Sequence, residues 1–401
     1  MLKTSELMNF LPKSLMAIVL CSCYLTVCNA VAEDASPSQA RDMENFGPVT
    51  NLMFWKPREK LAGFRNIDKF YSTRKIERGN KVYPLPVELV DLSAVTYEVE
   101  GKRYSTDDFL KQNRVAGLLV IKNGRIVTER YQLGNTETTR WISFSVAKSV
   151  VSMLTGAAIQ DGYIKSVDDL VTDYIPHLKG SSYADATIRD VLHMASGTEW
   201  NEDYADPKSD VNNMPGGILN LVKVLGSKPR VAAPGEKFNY NTAETNLMGA
   251  IVRAAIGNNL ATYLTHKIWV PFGMESDATW LLHGPGQGET GGCCINATLR
   301  DYARIGLFAM QKGVLADGTR ILPEGWMKES TTPSKGNEGY GYLWWLGRDY
   351  YAALGVFGQL IHINPDQNLV IAAHSAWNTA GSRAYYMHRT AFVAAVTAYL
   401  K

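Results

Sequence analysis

Cysteine is nearly absent from the body of this 401-residue chain. Three of the five cysteines (Cys21, Cys23, Cys28) fall close to the N-terminus, so no disulfide framework organises the fold. The remaining pair, Cys293-Cys294, reads as two small buried thiols ahead of a strained vicinal disulfide, with no histidine spaced to activate either. Charge of one sign is also missing: 41 Lys and Arg stand against 39 Asp and Glu. No basic cluster interleaved with aromatics occurs, so nucleic acid is excluded as a partner. The seven histidines form no His-Glu-x-x-His motif and no tight cluster, which removes a zinc hydrolase and any expected metal or cofactor. His193, His362 and His374 read as structural. Gly-x-Ser-x-Gly is absent, and with it the nucleophile elbow. There is no internal repeat and no low-complexity tract.

Long hydrophobic runs are lacking as well. The longest, from Leu15 to about Val27, is shorter than the about 20 residues that a membrane span needs. Lys3 and Lys13 precede it and Ala30-Val31-Ala32 follows, the pattern of a cleaved export signal over 1–32 with a mature start near Glu33. Leu25-Thr26-Val27-Cys28 is similar to a lipid-attachment box, but bulky Val27 stands where a small residue is expected. The expected location is the periplasm or the exterior, with no stable membrane span after cleavage.

Small, polar and acidic residues over 33–50 predict a flexible linker, followed to about residue 90 by an irregular wrap rich in aromatics and proline. The main domain is expected over 91–401. Its first hairpin turns at Asn123-Gly124 between two β-rich runs. Residues 163 to about 295 mix short helices with Gly/Pro/Asn-rich loops and read as an inserted helical lobe. A second hairpin turns at Pro365-Asp366-Gln367, and a final helix runs from about Arg383 to Leu400. Strands at both ends of the domain with helices between them predict an α+β sandwich: an antiparallel sheet flanked by terminal helices, plus the helical lobe.

The chemistry starts at Ser145-Val146-Ala147-Lys148. On a helix, residues three apart share a face, so Lys148 lies beside the Ser145 hydroxyl and, once desolvated, can take its proton. Spacing alone is weak, because Ser72-Thr73-Arg74-Lys75 repeats it. That copy runs into a polar stretch that leaves Lys75 solvated and protonated. The copy at 145 runs into Val150, Val151, Met153 and Leu154, a helix apolar enough to be buried, where a lysine loses basicity. Tyr240, in Asn239-Tyr240-Asn241-Thr242, is placed to shuttle the proton between nucleophile and leaving group. As one of 20 tyrosines it also reads as simple packing under a loop.

Ser145–Lys148, Tyr240-Asn241-Thr242 and the segment at Gly355 together resemble the three motifs of the serine β-lactamase and penicillin-binding-protein superfamily, in its class C-like branch. Asp190–Gly197, Glu202-Asp203-Tyr204, Asn296–Gly306, Gly339–Trp345 and the Trp55–Gly79 wrap are similar to 6-aminohexanoate-dimer hydrolases and related esterases. The resemblance implies a β-lactamase/transpeptidase-like fold. It implies Ser145 as acyl-enzyme nucleophile, Lys148 as base, and Tyr240 as shuttle kept near its phenolate form. The oxyanion hole would be built from the N–H groups of Ser145 and Val356, the latter on an edge strand after Gly355. Tyr204, Thr242 and Gly355 would contact a small-molecule amide or ester substrate. Two departures stand out: Thr242 replaces the usual third-position Asn, and Ala353 replaces the Lys or His two residues before the glycine. Without that cation, an amide or ester hydrolase is expected ahead of a class C-like β-lactamase or a penicillin-binding carboxypeptidase. A binding domain without turnover is the further alternative, opposed by the intact Ser145, Lys148 and Tyr240.

Overall fold

The computed structural model describes residues 39–401, so the signal-like segment 1–32 lies outside the described residues. Two antiparallel sheets and the helices around them form the body. The larger has six strands in the order β5-β4-β12-β11-β10-β9. They are β4 (Val115–Lys122), β5 (Arg125–Tyr131), β9 (Trp345–Leu346), β10 (Tyr351–Leu354), β11 (Leu360–Asn364) and β12 (Leu369–Ser375). The β4–β5 hairpin turns at Asn123 (φ 51°) and Gly124 (φ 76°), the paired left-handed residues of a type I′ turn.

Both faces of this sheet are covered, which is why β4 and β12 read as unbroken apolar runs rather than alternating ones. Leu119 and Ile121 of β4 join the main core with helices α3 (Val146–Gln160) and α5 (Leu299–Met310). Leu118 and Val120 point the other way, into a second cluster with α2 (Thr106–Gln112) and the C-terminal helix α6 (Arg383–Tyr399). The expected sheet between helices is present.

The smaller sheet runs β1-β7-β8-β6: β1 (Thr73–Ile76), β6 (Trp141–Ile142), β7 (Ala278–Leu281) and β8 (Ile295–Ala297). The inserted lobe is therefore helical over a shorter span than 163–295, because its last stretch supplies β7 and β8. Strands of three or four residues are too short for periodicity to reveal. They form by pairing with distant chain, Thr73 to Ile76 against Leu281 to Ala278. A two-stranded ribbon of β2 (Thr96–Val99) and β3 (Lys102–Ser105) completes the set.

The linker expected over 33–50 is held down from Gln39 onward. Asp42 is buried and accepts from both Arg65 Nε and Arg65 Nη2 at 2.7 Å, and from Asn66 at 2.8 Å. A fork of charge-assisted bonds fixes a polar segment that composition alone describes as free. The wrap that follows contains a helix, α1 (Pro57–Phe64), started by Pro57 and packed through Leu61 and Phe64 on Trp141, Phe144 and Phe357.

One buried acid gives the core a pH dependence. Glu244, in α4 (Thr242–Ile256), accepts from Tyr183 at 3.1 Å and from Ser196, and burial pushes its carboxyl up to about 8. The folded chain keeps this proton while the unfolded chain loses it near the usual carboxylate range. The contribution to stability is therefore full at low pH and falls as pH rises toward 8. Relative to wild type, Glu244→Gln should gain unfolding free energy in urea titrations between pH 5.5 and pH 8.5, by an amount of order 1 kcal/mol or more. Equal differences at both pH values would contradict this.

Candidate active site

Ser145 caps the N-terminus of α3 without spending its hydroxyl on the cap, since no side-chain capping bond forms there. The residue before it, Phe144, holds a left-handed φ of 44°, an arrangement that costs of order 1 kcal/mol or more and presents Ser145 at the turn into the helix. From Val146 to Ala158 every residue of α3 is buried, as the apolar run predicts. Lys148 thus points from a buried helix at the serine beside it. Its Nζ donates to Ser145 Oγ at 3.1 Å, to Thr242 Oγ1 at 3.0 Å and to the Gly292 carbonyl at 2.7 Å. Gly292 must be glycine for this approach, because a Cβ there would sit 2.7 Å from Thr242 and 3.3 Å from Lys148 Nζ.

Burial pulls the Lys148 ammonium down to about 8, with the nearby Glu202 charge opposing the shift. The second Ser-x-x-Lys behaves in the opposite sense. Lys75 lies on strand β1, more than half exposed, with Nζ 2.9 Å from Asp277, and that bond raises its basicity. Context separates the two copies in the structure as it does in the sequence.

Tyr240 ends the loop before α4. Asn241 fixes that start by accepting from Glu244 N at 3.1 Å, and Asn239 Nδ2 ties the loop to the Trp200 carbonyl at 3.1 Å. The Tyr240 ring lies 5.4 Å from Lys148 Nζ, stacked on Trp345 at 5.5 Å and edge-on to Tyr340 at 5.9 Å. The ring is packed as the second reading expects, and it also lies close enough to Ser145 to share a hydrogen bond. Its expected phenolate character does not hold. Burial raises the phenol well above its ordinary value, against the hydrogen-bonding influence of Ser145, and the Glu202 charge raises it further. Tyr240 is a neutral phenol at physiological pH, a donor rather than a base.

Thr242, in place of the expected Asn, has a specific task. Its hydroxyl joins Lys148 to Glu202, which also accepts the Thr242 N–H at 3.0 Å and the Tyr204 hydroxyl at 2.6 Å. Glu202, named in the sequence only within Glu202-Asp203-Tyr204 and given no role there, is the acceptor that ties this network together. Tyr204, expected to contact substrate, lines the cleft and donates its hydroxyl to Glu202.

A cavity of about 400 Å³ opens beside Ser145. Its walls are mostly apolar: Leu52, Met53, Val211, Met214, Leu221 and Leu281. No Lys or Arg lines it, and burial holds His283 neutral, pushing it down to about 4. Val356 is not on an edge strand. It sits in the turn from β10 to β11, and β9 is the outer neighbour of β10. Gly355 lets this turn approach, since a Cβ would meet the Ser143 carbonyl at 2.7 Å. Ser145 and Val356 both line the cavity, and the N–H of neither donates to an acceptor among the described residues. Lys60 secures the turn from α1, with Nζ 4.5 Å over the Phe357 ring. The adjacent cysteines 293 and 294 also line the wall. Among the described residues, no group of three or more His, Cys, Asp or Glu is placed to hold a metal ion.

The beta-lactamase family model matches residues 106–395, which contain the whole Ser145, Lys148 and Tyr240 constellation. The chain belongs to this family. It is a serine hydrolase of the beta-lactamase/transpeptidase-like superfamily. It is 27% identical over 303 residues to 6-aminohexanoate-dimer hydrolase of Paenarthrobacter ureafaciens, covering 69% of this chain and 76% of that one. Protein flp of Staphylococcus aureus is 23% identical over 170 residues, only 33% of its length. Among solved structures, a candidate 6-aminohexanoate-dimer hydrolase from Bacillus anthracis superposes with a TM-score of 0.76 at 21% identity, covering 85% of this chain and 94% of that one. A penicillin-binding protein from Bacillus halodurans gives 0.59 at 17% identity, covering 72% and 99%. Ala353, where the resemblance expects a cation, is a small residue buried in the main core.

Proposed function

We propose that this family member is an exported hydrolase of neutral carboxylic esters or amides, working through an acyl-enzyme on Ser145. One observation carries the reading. Lys148 Nζ, buried and made less basic, bonds Ser145 Oγ at 3.1 Å beside a cavity with two free backbone N–H groups. With its ammonium near 8, about a tenth of Lys148 is neutral at pH 7. That fraction takes the Ser145 proton as Oγ attacks the carbonyl carbon. The developing oxyanion is received by the Ser145 and Val356 N–H groups, and the start of α3 favours the negative charge. Tyr240, protonated, gives its proton to the departing oxygen or nitrogen and recovers one from Lys148. Water then repeats the sequence on the acyl-enzyme.

The apolar walls and the absence of a lining cation favour an uncharged acyl group. The 6-aminohexanoate-dimer hydrolase of P. ureafaciens adds linear amides to the candidates. Purified protein should hydrolyse p-nitrophenyl butyrate and a 6-aminohexanoate dimer, with kcat/KM for nitrocefin at least about 100-fold below the ester. Nitrocefin turnover equal to the ester's would overturn the substrate class. Export rests on the 1–32 segment, and the protein recovered outside the cytoplasm should begin near Glu33.

A further inference from the structure

The large sheet is covered unevenly on the face opposite α3. A helix is about 10 Å across, whereas six strands span about 24 Å, so α2 and α6 together do not pack closely on every strand. Phe392, Val393 and Val396 of α6 share a cluster with Val120, Leu369 and Ile371 of β4 and β12. Toward β10 and β11 a second cavity opens, about 370 Å³. Its sheet wall consists of cross-strand neighbours on one face: Ala352 opposite His362, and Leu354 opposite Leu360. Arg389 and Val393 of α6 form the other wall.

Two polar side chains are buried here without partners. Arg389 is 8% exposed, its Nη1 has no acceptor, and no acidic side chain among the described residues pairs with it. Its guanidinium lies over ring faces, Tyr386 at 4.8 Å and Trp377 at 5.4 Å. His362 is 3% exposed and its Nε2 is also unpartnered. Ring contacts return only part of what burying an unpaired cation costs. The deficit is one that an anion removes. At the rim Arg348 and Lys401 add positive charge, and Asp349 offsets one of them.

We propose that this cavity binds a small amphipathic carboxylate, its carboxylate on Arg389 and His362 and its hydrocarbon chain against Leu354, Leu360 and Val393. The volume lies near the low end of the roughly 300–1,000 Å³ of small-ligand sites, which suits a single short chain and excludes a folded peptide. Burial, and then the Arg389 charge, hold His362 neutral down to about 4, so it supplies a neutral ring N–H. The site is separate from the Ser145 cleft and does not depend on the reaction proposed there.

The test is calorimetric titration of the whole protein with octanoate, 1-octanol and inorganic phosphate. Octanoate should bind saturably, and octanol and phosphate at least about ten-fold more weakly, since each lacks one half of the recognition. Arg389→Gln should weaken octanoate at least about ten-fold. Leu354→Trp, which fills the cavity and leaves Arg389 in place, should abolish binding and answers the question if Arg389→Gln fails to fold. Octanoate binding unchanged in either folded variant overturns the proposal. So does competition against p-nitrophenyl butyrate with an inhibition constant equal to the octanoate Kd, because that places the ligand in the cleft.

Discussion

Ser145→Ala should lose fluorophosphonate labelling outright, and p-nitrophenyl butyrate turnover should fall by about 10⁴-fold or more. Removing the hydroxyl removes the atom that becomes acylated, so remaining rate comes only from binding and the oxyanion donors. The fold should be indifferent to the change. The Ser145 side chain makes no helix-capping bond, alanine is a good helix former, and Lys148 keeps Thr242 and Gly292 as acceptors. A thermal midpoint within a few degrees of wild type, together with lost labelling, is the expected pair of results. A variant that keeps more than a hundredth of the turnover would remove Ser145 from the mechanism.

Lys148→Met should cost nearly as much, about 10³-fold or more in kcat/KM, because methionine fills the space but accepts no proton. The decisive reading is the pH profile. A lysine brought down to about 8 is active as a base only when neutral, so wild-type kcat/KM should rise with pH and level off above about 8. That rising limb should vanish in Lys148→Met, whose residual rate should climb only with hydroxide. A limb that persists near 8 in the variant would assign the titration to another group. Tyr240 is a poor candidate, since burial moves its phenol upward, away from that range.

Much of this site was legible in the sequence for one physical reason: the local apolar run decides whether a lysine is buried. The two Ser-x-x-Lys copies differ in that respect alone, and the structure separates them as a buried helix and an exposed strand. The order of hairpins and the final helix was legible too, because their periodicity and turn residues are local. Glu202 was not, since its importance comes from meeting Thr242, 40 residues away. Trp345 and Tyr340, which hold the Tyr240 ring, arrive from still farther along the chain. Strands β7 and β8 depend on partners supplied by the wrap and by β6. The protonation of Tyr240 was misjudged because depth of burial, which sets it, has no local signature.

The wrap carries a consequence for how such enzymes diversify. Leu52, Met53 and Tyr71 form part of the cleft wall, yet they precede the 106–395 stretch that contains the nucleophile, base and oxyanion donors. Asp42 and Arg65 clamp this leading segment in place through a single ion pair. Part of the cleft wall is thus encoded apart from the reacting residues, although Val211, Met214, Leu221 and Leu281 come from the same stretch as they do. Selection can recut the leading stretch to admit a new acyl group while the reacting residues stay as they are.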